Sequence, residues 1–343
     1  VRDALVTPAK ALMMFDPYST RARLASIRLE PSKRSTDLPQ ATTSRSLPTP
    51  TGTLLQRTLD YLFHTLLPTQ PLAATHPFLR DRTRSVRQDF TVQNVRDVNA
   101  VRCNERIARY HILAVGVLRE EAGFSEQQEL EQLRKGTLTS TNLVPTLKAD
   151  ARTTLFFQVL KSLNEFYDDL RLSGTPDPSG NEAEFRAYNL LTHLRDPDIV
   201  WSVELLPPEI FGHPLLQRAL ALHRLAQKSN IPRGERASQN AFSRFFKLVS
   251  DPGTPYLFAC ILSTHFNDIR RNAIDALRSA YLKQHSAFPL RTLAKILGCD
   301  DEADARSVCE QLGVVVRTDE RGRVVAELHK QAALKGVLVR VAK

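Results

Sequence analysis

Leucines and other apolar residues recur every three or four positions along most of this chain, the spacing that gathers them on one face of an α-helix. The first long case starts at Thr53: Leu55, Leu59, Leu62 and Leu66 fall at i, i+4, i+7 and i+11, and Pro68 ends the run. A second stripe, Leu79, Thr83, Val86 and Phe90, lies in a predicted helix over 77–92 whose flank carries Arg80, Arg84 and Arg87. The same spacing predicts helices at about 97–121, 125–135, 153–172, 181–194, 198–206 and 214–228, then at 238–250, 254–265 and 267–284. Helices this short are marginal alone, so they must stack over a shared core. The expected fold is mostly α: a degenerate helical-repeat (TPR-like) solenoid, although no exact period is present.

The pattern changes towards both ends. Residues 29–52 are rich in Pro, Ser and Thr, which predicts an extended N-terminal arm over 1–52 ahead of a helical-repeat domain at 53–237. Spacing loosens at Ile231-Pro232-Arg233-Gly234, so a boundary is placed at 237/238. In the last hundred residues Phe288-Pro289-Leu290 leads into a helix through Leu297, and a second helix spans Glu302–Leu312. Two β-branched runs, Val314–Val316 and Val324–Ala326, then flank the turn Asp319-Glu320-Arg321-Gly322. Helix, helix and two-stranded hairpin give a C-terminal winged helix at about 288–328.

A 42% hydrophobic content sustains real cores, and 13 glycines in 343 residues suit a helical protein. No apolar run approaches the roughly 18 residues of a membrane helix, so an intracellular protein without membrane contact is expected. Cys103, Cys260, Cys299 and Cys309 lack the paired spacing of a zinc site and read as reduced thiols with packing roles. Phosphate-cradling glycine loops, paired metal-ligating histidines and nucleophile elbows are all missing, so neither an enzyme nor a cofactor is expected. His111, beside Ile107 and Val115 on an apolar helix, reads as a core or boundary histidine.

Charge adds a binding hypothesis. Residues 1–100 carry 14 basic against 8 acidic side chains, 101–229 carry 15 against 17, and 230–343 carry 18 against 12. Basic ends around a near-neutral middle suit a polyanion or an acidic partner. Within the winged helix the second helix begins Asp300-Asp301-Glu302-Ala303-Asp304, and its carboxylates would repel phosphates, which excludes base reading by that helix. The candidate nucleic-acid contacts are instead Arg317, Arg321 and Arg323 on the wing and Arg270, Arg271, Arg278 and Lys283 on the preceding helix, gripping the backbone without reading sequence. The alternative is a solvated hairpin and an ordinary charged helix face. In NEAEFRAY at 181–188, Asn181 is placed to cap a helix with Glu184 in the capping-box position, above a stripe of Ala183, Ala187, Leu190 and Leu194.

Seven segments, in one order, carry a family resemblance: RTLDYL at 57–62, DRTRSVRQDFTVQN at 81–94, CNERIARYHI at 103–112, QQELEQL at 127–133, NEAEFRAY, RFFKL at 244–248 and DIRRNAIDAL at 268–277. Over about 50–330 the chain resembles the GANP (germinal-centre-associated nuclear protein) family, the large scaffold subunit of the TREX-two complex that links transcription to messenger RNA export, and its fungal members in particular. The resemblance implies helical repeats ending in a PCI-type module over 238–343, whose winged helix packs beside that of a second PCI-domain subunit. Together they would form a sequence-nonspecific platform for RNA or DNA, at the nuclear pore. It further implies a small acidic subunit shared with the proteasome lid, held through that complex, and an RNA helicase of the export pathway as partners. The chain looks like a central fragment, with the regions that engage the export receptor, centrin and the pore basket outside it; 136–152 matches poorly.

Under this resemblance Asp81, Arg82, Arg84, Arg87 and Asp89, with Asn181, Glu182, Glu184, Phe185 and Tyr188, are family-motif residues serving packing or protein contact rather than nucleic acid. The competing expectation is a PCI scaffold of the proteasome-lid, signalosome or initiation-factor type that touches no nucleic acid.

Overall fold

The structure, a computed structural model, describes residues 52–119, 121, 124, 159–174, 179–196, 198–230, 241–281, 287–319 and 322–328. The expected arm at 1–52, apart from Gly52, which opens a helix, the helix at 125–135, the start of the helix at 153–172 and the weakly matching 136–152 lie outside them. Backbone contacts divide the chain into two units, Val1–Arg109 and Tyr110–Lys343.

In the first unit, α1 (Gly52–Asp60) runs into a π-helical turn at Tyr61–Leu66 and a 3₁₀ turn at Leu67–Thr69. The π turn shifts the apolar stripe. Leu55, Leu59 and Leu62 are buried as expected, but Phe63 and Leu67 complete the face while Leu66 is only half-buried. A π turn admits one extra residue, so a sequence read at 3.6 residues per turn loses phase after it. The turn is fastened by Arg106, whose Nη1 donates to Asp60 Oδ1 at 2.7 Å and whose guanidinium carbon lies 5.6 Å from the Phe63 ring centre.

Helix α2 spans Leu72–Val92, starting five residues before the predicted boundary and passing through Pro77. Its buried side includes the predicted Leu79, Thr83, Val86 and Phe90. Helix α3 (Val98–Leu118) is stopped at its start by Asp97, whose Oδ1 accepts from Ala100 N at 2.9 Å. Every residue from Cys103 to Val115 is buried, so this helix has no solvent face over more than three turns.

The second unit holds α4 (Val159–Leu172), α5 (Glu182–Thr192), α6 (Ile199–Glu204), α7 (Pro208–Phe211), α8 (Pro214–Asn230), α9 (Phe242–Val249), α10 (Tyr256–Ser263) and α11 (Phe266–Ala280). Helix α5 is the hub: α4, α6, α7, α8 and α10 all pack on it, and Tyr188 meets Phe258 edge-to-face at 5.7 Å between ring centres. Gly116 sits where any Cβ would collide with the Cys260 sulfur. The boundary expected at 237/238 falls in 231–240, outside the described residues; α8, just before it, packs on α5 and also on α9 and α11.

Beyond α11 come β1 (Ala287–Pro289), α12 (Leu290–Leu297), α13 (Glu302–Gln311), β2 (Val316–Thr318) and β3 (Val324–Glu327). The strands form one antiparallel sheet in the order β1-β3-β2, with Phe288 opposite Ala326 and Arg317 opposite Val325. Sequence reading gives only β2 and β3, because Ala287–Pro289 is too short to show alternation and ends in proline. Leu290, Leu293, Leu297, Ala305, Val308, Leu312 and Ala326 join Ala273 and Ile274 of α11 in one core. That core fixes the sheet against the two short helices.

Candidate nucleic-acid interface and buried family motifs

The hairpin is closed as the turn residues dictate: Gly322 takes φ +73°, its N–H donates to Asp319 O at 2.8 Å, and Asp319 N donates to Arg323 O at 2.8 Å. Both described arginines of the hairpin reach solvent, each beside a carboxylate. Arg317 Nε lies 2.9 Å from Glu327 Oε1, its side chain 60% exposed. Arg323 Nη2 lies 3.3 Å from Asp319 Oδ2, its side chain 56% exposed. Arg321 and Lys283 lie outside the described residues. Over 316–327 the sequence carries Arg317, Arg321 and Arg323 against Asp319, Glu320 and Glu327, so the hairpin itself has no net charge. It offers guanidiniums for exchange onto phosphate rather than a positive field.

The α11 arginines divide by environment. Arg271 is exposed and Arg278 half-buried. Arg270 turns inward: Nε donates to Leu297 O at 3.1 Å and Nη2 to Gly298 O at 2.8 Å. Its guanidinium carbon also lies 5.8 Å from the Phe246 ring centre and 5.5 Å from that of Phe266. It therefore closes the C-terminal end of α12, where carbonyls lack helical partners and a cation is favoured. Its donors serve the fold. On α13, Asp301 Oδ1 accepts from Asp304 N at 2.8 Å, so that carboxylate cluster opens the helix.

The motif residues divide between core and surface. In 81–94, Arg87 is buried, Arg84 and Asp89 are half-buried, and Asp81 pairs with Arg82 on the surface, where Arg82 also covers the Phe78 ring at 5.8 Å. In NEAEFRAY the expected capping box does not form. The Asn181 side chain makes no cap hydrogen bond, and the Glu184 carboxylate accepts from the Tyr188 hydroxyl at 2.6 Å, one turn along its own helix. The predicted stripe of Ala183, Ala187, Leu190 and Leu194 is buried, with Phe185 and Tyr188. Beside it lies an ion network that the sequence did not reveal: buried Glu182 takes Arg171 and Arg186, with Arg186 Nη2 2.9 Å from Glu182 Oε1 and 2.5 Å from Asp168 Oδ1. The i,i+4 spacing of Glu182 and Arg186 was the available signal.

Two comparisons give these motifs a family. The sequence profile described as "SAC3/GANP family" matches residues 34–318. The chain belongs to the SAC3/GANP family. It is 45% identical over 286 residues to SAC3 family protein 1 of Schizosaccharomyces pombe, covering 81% of this chain and 26% of that protein. To the Drosophila melanogaster Protein xmas it is 30% identical over 286 residues, 80% of this chain and 12% of the relative. To SAC3 family protein B of Arabidopsis thaliana it is 28% identical over 287 residues, 79% and 15%. The chain thus spans about a quarter or less of the length of these curated relatives.

The remaining candidate chemistry of this SAC3/GANP region is structural. All four cysteines are free thiols; burial pushes Cys103, Cys260 and Cys309 up to about 12 and raises Cys299. Such thiols stay protonated and inert, in keeping with packing roles. His111 is fully buried, edge-on to Tyr110 at 5.3 Å. Among the described residues no His, Cys, Asp and Glu cluster could hold a metal ion, and no helix is long and apolar enough to cross a membrane.

Proposed function

We propose that this SAC3/GANP region is a non-enzymatic scaffold in the nuclear export of messenger RNA, acting at the nuclear pore within the TREX-two complex. Its C-terminal part, from α9 onwards, serves as a PCI-type module, and the β1–α12–α13–β2–β3 succession as its winged helix. A second PCI-domain subunit docks beside that winged helix; the small acidic subunit and the export helicase join through the assembled complex. The two winged helices together hold RNA or DNA without reading sequence.

The observation that carries this reading is the open C-terminal sheet. Both β1 and β2 are outer strands, and Arg317 and Arg323 project from the hairpin into solvent. Exposed ion pairs of this kind contribute only about 0–1 kcal/mol each, so trading a carboxylate for a phosphate costs little. The family supports the scaffold role: the match runs through packed helices, in which Arg87, Glu182, Phe185 and Tyr188 of the family motifs are buried.

The test uses the complex with the second PCI subunit. Reversing Arg317, Arg321 and Arg323 to Glu should leave that complex intact on gel filtration and weaken binding of a labelled single-stranded oligonucleotide. The slope of log affinity against log salt should shrink by roughly 2, at about 0.7 per lost phosphate contact. Unchanged affinity and slope would refute the wing contact. They would favour the second reading, a PCI scaffold without nucleic-acid contact, for which the charge balance of the hairpin speaks.

A further inference from the structure

The segment from Asp196 to Gly212 presents apolar surface among carboxylates. Trp201, the single tryptophan of the chain, is 72% exposed and Leu205 is 82% exposed. Leu205 N donates to Trp201 O at 3.2 Å, so the two side chains lie one helical turn apart on the same face. On the other side Val203 and Leu206 are buried, and α6 and α7 both pack on α5. The start of the segment is pinned from α8: Gln227 Nε2 donates to Leu194 O at 2.8 Å, and His223 Nε2 lies 3.2 Å from Asp196 O. Pro207 and Pro208 stiffen its far end. The face is therefore held rigidly, with Trp201 and Leu205 turned out.

Within this segment the charge has one sign, with Arg195, paired to Asp268, standing just before it. Asp196, Asp198, Glu204 and Glu209 all fall between 196 and 212, and no Lys or Arg does. Asp198, Glu204 and Glu209 are exposed. A phosphate backbone would be repelled here, whereas cationic side chains flanking an apolar anchor would be drawn in. Aromatic and large aliphatic residues ringed by charge form the usual energetic centre of a protein contact.

From this charge complementarity we propose that the Trp201–Leu205 face, rimmed by Asp198, Glu204 and Glu209, docks a basic, apolar-anchored segment of another protein. The site lies on elements other than the C-terminal sheet and stands whether or not the wing binds nucleic acid.

The full chain should be panned against a phage-displayed library of random 12-residue peptides. Enriched clones should combine Lys or Arg with an aromatic or branched aliphatic residue. The best clone, made as a synthetic peptide, should blue-shift the emission of Trp201, an unambiguous reporter because the chain has no other indole. Its affinity, read by fluorescence anisotropy of the labelled peptide, should fall at least about tenfold with Leu205→Asp and also with the pair Glu204→Lys and Glu209→Lys. All three positions are exposed, and circular dichroism checks that the variants fold. Enrichment of uncharged or acidic clones would overturn the proposal, as would peptides that bind Leu205→Asp as well as the unaltered chain. So would free-chain emission already typical of a buried indole, which would mean that another part of this chain or a second copy covers the face.

Discussion

Truncating Arg270 to alanine removes the two hydrogen bonds to Leu297 O and Gly298 O, at 3.1 and 2.8 Å, and the contacts with the Phe246 and Phe266 rings. Hydrogen bonds from a charged donor contribute about 1.5–3 kcal/mol each, and partly exposed cation–π contacts about 0.5–1 kcal/mol each. Arg270 is half-buried, so water can reach part of what it leaves behind, and a loss of about 2–4 kcal/mol is expected. The backbone cannot easily turn to compensate. Gly298 closes α12 at φ +60°, and even a Cβ there would fall 2.5 Å from Phe246 Cδ1. Arg270→Lys, with one compact ammonium in place of a fork, should recover about half of the loss. Denaturant unfolding gives the free energy, and amide exchange in β2 and β3 should quicken because the sheet shares its core with α12. If Arg270→Ala unfolds within about 0.5 kcal/mol of the unaltered chain while the proposed complex with a second PCI subunit loses oligonucleotide affinity severalfold, the assignment fails and Arg270 is a phosphate ligand.

Two further outcomes follow from buried polar groups. Glu182→Ala strips the carboxylate shared by Arg171 and Arg186; breaking one side of a buried pair costs about 3–5 kcal/mol, and since Asp168 still faces Arg186 the loss should be nearer 2–4 kcal/mol, with a drop below 1 in thermal unfolding refuting a stabilising role. Burial lowers the pKa of His223 from 6.5, so the folded chain prefers it neutral. The stability this supplies is complete above about pH 6.5 and is lost as pH falls through the depressed folded value. Denaturation midpoints at pH 7.5 and 5.5 should therefore differ more for the unaltered chain than for His223→Gln; equal differences would remove His223 as the cause.

Periodicity located most described helices because a half-buried helix writes its packing into the sequence, as Leu79, Thr83, Val86 and Phe90 do on α2. It could not show that α3 is buried all round, since Glu105, Arg106 and Arg109 look like a solvent face until their surroundings are known. Nor could it sort arginines. Arg270 and Arg271 are neighbours in sequence, yet one closes a helix end and the other meets water, a distinction made by Phe246 and Gly298 arriving from elsewhere in the chain beside Phe266, one turn back on the same helix. The capping box failed for a related reason: the spacing of Asn181 and Glu184 permits it, but the Tyr188 hydroxyl, one turn along the helix, takes the Glu184 carboxylate. The exposed Trp201 and Leu205 were hidden within a helix prediction at 198–206 that says nothing about which side lacks a neighbour.

The extra residue held in the π turn at Tyr61–Leu66 makes the first helix a splice between two phases. Upstream, Leu55 and Leu59 set the angle of the buried face; Leu62 and Phe63 carry it inside the turn, and Leu67 just after it takes the place that unbroken α spacing gives to Leu66. Deleting one residue of the turn would let the backbone relax to ordinary α geometry and leave everything after it in phase, because the wide turn winds its extra residue into about the same rotation. The same deletion in the α-helical stretch before it would rotate everything downstream by about 100°. The turn is thus the point at which this helix tolerates the loss of a residue, and a relative one residue shorter here is expected to run through it as unbroken α-helix.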